Sequence, residues 1–172
     1  MLMFNKHALK TGVVMATVLG ITFTSCSNDD NPDPVPTPRS KSFTLKGTGA
    51  DATKDVGAIT VTENTDSSIN VILSLTKNVK DTSHQVYFIG GTTTTPLTDT
   101  LYANEDVKGT GAAMNIELFK NVKKITLKQA SGATKDTAFK FDNAVHYAAY
   151  LKVMHSKTST DTLAIGNFGE SN

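Results

Sequence analysis

The chain has 172 residues, enough for one ordinary domain and short for two. Its formal net charge is +1, from 17 basic and 16 acidic residues, and no basic cluster stands out, so it carries no electrostatic footprint for nucleic acid. One cysteine excludes an internal disulfide, and 38% hydrophobic content with abundant Thr suits strands, where a branched Cβ packs well on a pleated surface.

In chain order, residues 1–25 read as an export signal. Lys6 and Lys10 form a positive start, and "TGVVMATVLGITF" follows as about a dozen mostly apolar residues. That length falls short of the roughly 20 residues a membrane-spanning helix needs and fits the apolar core of a cleaved signal peptide. With those two lysines set aside, 15 basic residues face 16 acidic ones. The apolar run ends in "FTSC", which places the only cysteine, Cys26, at a seam with the acidic stretch "SNDDNPDP". Such a stretch does not pack into a core, so Cys26 reads as a modification site and not as a buried thiol.

Residues 26–40 form an acidic, Pro-rich tether with four prolines in "SNDDNPDPVPTPRS". Proline lacks a backbone N–H and holds φ near −65°, so this composition favours an extended, semi-rigid chain. The folded domain is expected over residues 41–172.

From there the pattern is β. "KSFTLKGT" sets Phe43 and Leu45 on one face, and "VGAITVTE" does the same with Ile59 and Val61. "TDSS" is a turn. "SINVILSLTK" is the clearest strand, with Ile69, Val71, Leu73 and Leu75 in strict alternation. "SHQVYFIGG" follows. "TTTTPLTDTLYANEDVKGTGA" is looser and predicts at most a short strand near Leu101. "MNIELF" predicts a strand through Met114, Ile116 and Leu118, although "AAMNIELFKNV" also reads as a helix. "KKITLKQ" and "TAFKFD" predict short strands about the turn "ASGAT". "AVHYAAYLKVMHS" alternates Val145, Tyr147, Ala149, Leu151 and Val153, and "DTLAIGNFG" closes the chain. Eight or so short strands, with no ordinary-length helix, predict an all-β antiparallel sandwich or barrel.

Two resemblances sharpen this reading. "FTSC" resembles a bacterial lipoprotein signal, with Phe23 in place of the usual Leu. The resemblance implies cleavage before Cys26, diacylation of its thiol and a covalent lipid as the only attached group. About 0.8 kcal/mol per buried CH₂ makes two chains a stable membrane anchor where one is not. Ser27 stands where an aspartate often retains lipoproteins in the inner membrane. "CSNDDN" resembles the short acidic signal that sends some lipoproteins of Gram-negative bacteria to the cell surface, with periplasm-facing attachment as the alternative. The order of motifs over residues 43–169 is similar to CHRD domains, the module first named in chordin. Leu45 and Gly47, "GAITVTE", "NTDSS", "INVILSL" and "SHQVYF" match its opening, and Tyr150, His155 and Gly166 match its end. Val86 replaces the second histidine of the family's His-x-His, and Thr162-Leu163 replaces its Gly-Glu. The resemblance implies an immunoglobulin-like β-sandwich and no settled activity.

Three histidines follow the leader: His84, His146 and His155. Clustered histidines in a β-sandwich bind copper or zinc, which makes a metal-binding protein the alternative reading. His146 and His155 are nine apart, so an unbroken strand points them to opposite faces. Strand-end or turn histidines are the plainer expectation. No Gly-x-Ser-x-Gly occurs and no Ser/His/Asp constellation is legible, so a non-catalytic module is expected. The carboxylates Asp51 and Asp55, Glu63 and Asp66, and Glu105 and Asp106 read as solvated turn residues without EF-hand spacing. "GTGADATKDVG" precedes a strand, so it offers no helix N-terminus to phosphate. Thr100, Thr137 and Thr162 sit in "DTL", "DTA" and "DTL". These resemble Asp-Thr-apolar O-glycosylation acceptors, while a turn entering a strand is the plainer expectation. The expected partners are the membrane, through the lipid, and a glycan or protein ligand.

Overall fold

The computed structural model describes residues 37–169. Cys26, the leader and the tether up to residue 36 lie outside the described residues.

Ten strands and one short helix make up the fold: β1 (Ser40–Lys46), β2 (Asp55–Glu63), β3 (Ile69–Leu75), β4 (Ser83–Gly91), β5 (Pro96–Lys108), β6 (Met114–Val122), β7 (Lys124–Lys128), β8 (Thr134–Ala138), α1 (Phe141–Val145), β9 (Ala149–Met154) and β10 (Thr162–Phe168). The protein is all-β. Its strands form one antiparallel, curled sheet in the order β6-β3-β2-β1-β10-β9-β4-β5-β7-β8.

The alternation read from the sequence sets the buried face. Phe43, Leu45, Ile59, Val61, Ile69, Val71, Leu73 and Leu75 are each at most 1% exposed. Their registers agree: Phe43 lies opposite Ile59, and Ile59 opposite Leu73. A one-residue slip would turn each apolar row to solvent, so burial fixes the register.

The curl follows from ring contacts across the interior. Phe88 of β4 and Phe119 of β6 have ring centroids 6.4 Å apart. Six interstrand steps separate those strands in the sheet, which in a flat sheet is roughly 29 Å. A line of rings runs from Phe43 through Phe168 to Phe88, and from Phe119 through Phe139 to Tyr147. The chain itself joins the far regions of the sheet, because only Lys123 separates β6, paired with β3, from β7, paired with β5. Asn121 adopts φ 50° at this bend, a conformation asparagine tolerates better than most residues. Its backbone N–H donates to Asn70 Oδ1 at 2.8 Å, and its side-chain oxygen accepts from Asn64 Nδ2 at 3.0 Å.

Three sequence expectations need correction. β5 is a strand of 13 residues, the longest of the fold, where only a short one near Leu101 was legible. Its core-facing side is sparse, with only Leu101 and Val107 buried, so its pattern lacks alternation. The helical reading of residues 112–122 gives way to β6, which pairs with β3 from Leu75↔Met114 to Ile69↔Val122. The strand read through Val145 and Tyr147 begins only at Ala149, because residues 141–145 form α1. β1 begins at Ser40, and Arg39 packs against the fold from the preceding chain. The Arg39 guanidinium donates to Glu63 at 2.7 and 3.0 Å and to Asp142 at 2.7 and 3.2 Å, and lies 4.5 Å from the centre of the Phe141 ring.

Candidate functional site

Strand direction sorts the loops into two ends. β1 runs from Ser40, opposite Thr62, to Lys46, opposite Asp55 and Ile165. The Lys46 end therefore carries the loops 47–54, 76–82, 109–113 and 155–161, which follow β1, β3, β5 and β9. Arg39 sits at the other end.

Buried polar groups tie the loop 76–82 to the loop 109–113 and to the end of β9. Asn78 is 6% exposed. Its Oδ1 accepts from the backbone N–H groups of Thr110 and Gly111, both at 2.7 Å, and its Nδ2 donates to the Ala112 carbonyl. His84 is fully buried. Its Nε2 accepts from the Val79 N–H at 3.2 Å and its Nδ1 lies 3.1 Å from the Met154 carbonyl, so the pattern fits the neutral, Nδ1-protonated imidazole. Gly109 passes over this ring: a Cβ there would lie 2.8 Å from His84 Nε2 and 2.0 Å from the Val79 carbonyl oxygen. Only glycine allows so close an approach.

The loop 47–54 is folded by a 3-10 turn at Gly49–Asp51, closed by Gly47 N–H to the Lys54 carbonyl at 3.0 Å. Gly47 is required sterically, because a Cβ would meet Asp51 atoms at 2.7 Å. Thr48 Oγ1 donates to the Thr162 carbonyl and pins this loop to β10. The Asp51 carboxylate accepts from Lys54 Nζ at 2.6 Å and lies 3.5 Å from Lys77 Nζ. The hydrogen bond from Lys54, then the charges of Lys54 and Lys77, hold its carboxyl below the ordinary range.

Between three of the loops lies a pocket of about 240 Å³ lined by Thr48, Asp51, Lys77, Val79, His155, Thr162 and Leu163. Drug-sized sites run from roughly 300 to 1,000 Å³, so this one has room for a single small group. Two further concavities, on either side of Thr44, are more open; Asp55, Ala58, Ser74 and Thr76 line one, and Lys46, Thr93, Ile165 and Asn167 the other.

The sequence candidates fall in different places. His84 was expected at a strand end or turn; it lies near the start of β4, yet it is a core residue with both nitrogens engaged, and it staples the loops instead of facing a ligand. His155 is exposed at the pocket rim. His146 is exposed at the end of α1, its Nδ1 2.7 Å from the Asp142 carbonyl. Six residues of β9 separate His146 from His155, about 20 Å of strand, so the three histidines do not converge. No group of three or more His, Cys, Asp or Glu side chains among the described residues is placed to hold a metal. Thr100 and Thr162 are partly exposed within β5 and β10. The Thr137 hydroxyl is buried and finds no partner among the described residues.

Of the pocket residues the sequence singled out His155 and Thr162, though not as parts of one site. Asp51 read as a solvated turn residue, and nothing in the sequence singled out Lys77. They come from loops that only the pairing of β1, β3, β9 and β10 brings together.

No family model matches the chain, and neither a search of curated proteins nor one of solved structures returned a match.

Proposed function

We propose that this chain is a lipoprotein of the Gram-negative outer membrane, anchored through acylated Cys26. On this reading it displays a non-catalytic domain that binds a glycan, a protein or another envelope component at the cell surface. The domain is read as an immunoglobulin-like β-sandwich of the CHRD kind. Two features support the sandwich. The register between β1 and β10 reduces to the one pair Lys46↔Ile165, so the curled sheet is nearly interrupted between β6-β3-β2-β1 and the remaining strands. Phe88 and Phe119 then meet across the interior.

The observation that carries the functional reading is the polarity of the domain. The chain enters beside Arg39, which Glu63 and Asp142 grip at the Ser40 end. The hydrogen-bonded loops and their pocket occupy the Lys46 end. Thirteen residues, 27–39, separate Cys26 from β1. On this reading the lipid attaches the domain from its Ser40 end, and the loops stand at the opposite end of the strands.

Cys26→Ala removes every acyl chain at once. Cells expressing this variant should release it from membranes after a high-salt wash, while the parent chain stays bound. Retention of the variant at the parent level would sink the lipoprotein reading.

A further inference from the structure

We propose that His84 is a pH-sensitive latch on the loop end: protonation of its ring releases the loop 76–82 and removes the pocket wall that this loop supplies. The latch follows from what its two partners are. Both are backbone groups, the Val79 N–H 3.2 Å from Nε2 and the Met154 carbonyl 3.1 Å from Nδ1. A backbone N–H only donates and a carbonyl only accepts, so neither partner can exchange roles. Nδ1 therefore carries the one ring proton, and Nε2 keeps its lone pair. A second proton would go to Nε2, where the Val79 N–H already points, and two donors would face each other. The ring has no room to turn aside. It is fully buried, and Gly109 crosses it so closely that a Cβ there would lie 2.8 Å from Nε2.

The surroundings do not hold a charge on the ring either. The nearby charged groups are Lys77, Lys80 and Asp81 on the loop 76–82, Glu105, Asp106 and Lys108 on β5, and Lys152 and His155 on and after β9. All are exposed or half-exposed, and none bonds to the ring among the described residues. Asp106 instead accepts from the Ser83 hydroxyl. A buried imidazolium without a carboxylate is costly, so the proton enters only as the loop leaves. Val79 adjoins Asn78, whose side chain holds Thr110 and Gly111, so loss of the Val79 bond loosens both loops. The open loop frees the imidazole to take up its proton at the ordinary value of about pH 6.5. The closed form is therefore fully favoured above that pH. Below it the closed-to-open ratio falls by up to about tenfold per pH unit. Lys77 and Val79 line the pocket, so the pocket keeps its shape near neutral pH and loses a wall in acid. The consequence for binding rests on the reading of the domain as a binding module; the latch itself does not.

The test is amide hydrogen exchange of the full chain in detergent, read by NMR between pH 7.5 and 5, with each rate divided by the intrinsic chemical rate at that pH. The Val79, Thr110 and Gly111 amides should lose protection below about pH 6.5, approaching tenfold per pH unit, while Leu73 in β3 stays constant. His155→Gln should keep this slope and His84→Gln should abolish it. If His84→Gln does not fold, the parent titration and His155→Gln still decide. Flat protection of the three loop amides across the range overturns the latch. So does a slope that Leu73 shares equally, one lost in His155→Gln or one retained in His84→Gln. None of these outcomes bears on the membrane fractionation of Cys26→Ala.

Discussion

Among single residues, the three histidines separate by burial. His84 is fully enclosed, and both its nitrogens hold loop backbone. Losing either partner leaves a buried polar group unsatisfied, at about 1–3 kcal/mol each. His84→Gln should therefore lower stability by about 2 kcal/mol or more. His146→Gln and His155→Gln, at exposed sites, should stay within about 0.5 kcal/mol. Urea unfolding of the three variants decides the matter, and three equal midpoints would contradict the staple role of His84. Nothing local in "TSHQV" announces that role. Its partners, Val79 and Met154, lie on separate loops and strands, so the burial of this imidazole depends on tertiary pairing.

At the level of the strands, β3 is the clearest case. Leu73 is fully buried between Ile59 of β2 and Ile116 of β6, and Ser74 faces outward with partial exposure. Leu73→Asp should unfold the domain, because an unpaired buried carboxylate costs several kcal/mol against a typical domain stability of about 5–15 kcal/mol. Ser74→Asp should be tolerated. Equal thermal midpoints would mean that the register is wrong. β3 was legible because its two faces differ strictly in polarity. β5 was not, because residues 96–100 carry no buried side chain and the strand is held largely by its ladder to β4. Backbone pairing leaves no mark in the side-chain pattern. For α1 the misreading has another source. Val145 and Tyr147 share parity with β9, and the burial of Phe141 and Ala144 together with the Arg39–Asp142 and Arg39–Phe141 contacts shows what holds residues 141–145 as a helix.

For the molecule as a whole, surface charge sets the response to acid. Hydrogen bonds hold five carboxyls below the ordinary range: Asp51 through Lys54, Glu63 and Asp142 through Arg39, Asp136 chiefly through Thr126, and Asp66 chiefly through the Ser68 side chain, down to about 2. The unfolded chain takes up these protons first, near pH 4. Each pair thus contributes stability above that pH and loses it as the pH falls through the folded values. Urea midpoints should decline steadily from about pH 4.5 toward 2 as these carboxyls take up protons. Added salt should shrink the effect, since these groups are solvent-screened. A midpoint unchanged between pH 5 and 2.5 would refute the linkage.

The sequence by itself determined the all-β class, the inner face of β1, β2 and β3 and the place of most turns. These depend on two-residue periodicity and on local turn chemistry, which neighbours along the chain encode. Tertiary structure alone decided that β5 is long, that residues 141–145 are helical, that His84 is buried and that Asp51 and Lys77 share a pocket. Each of these depends on which strands lie side by side once the sheet curls, and residues distant in the chain meet only then.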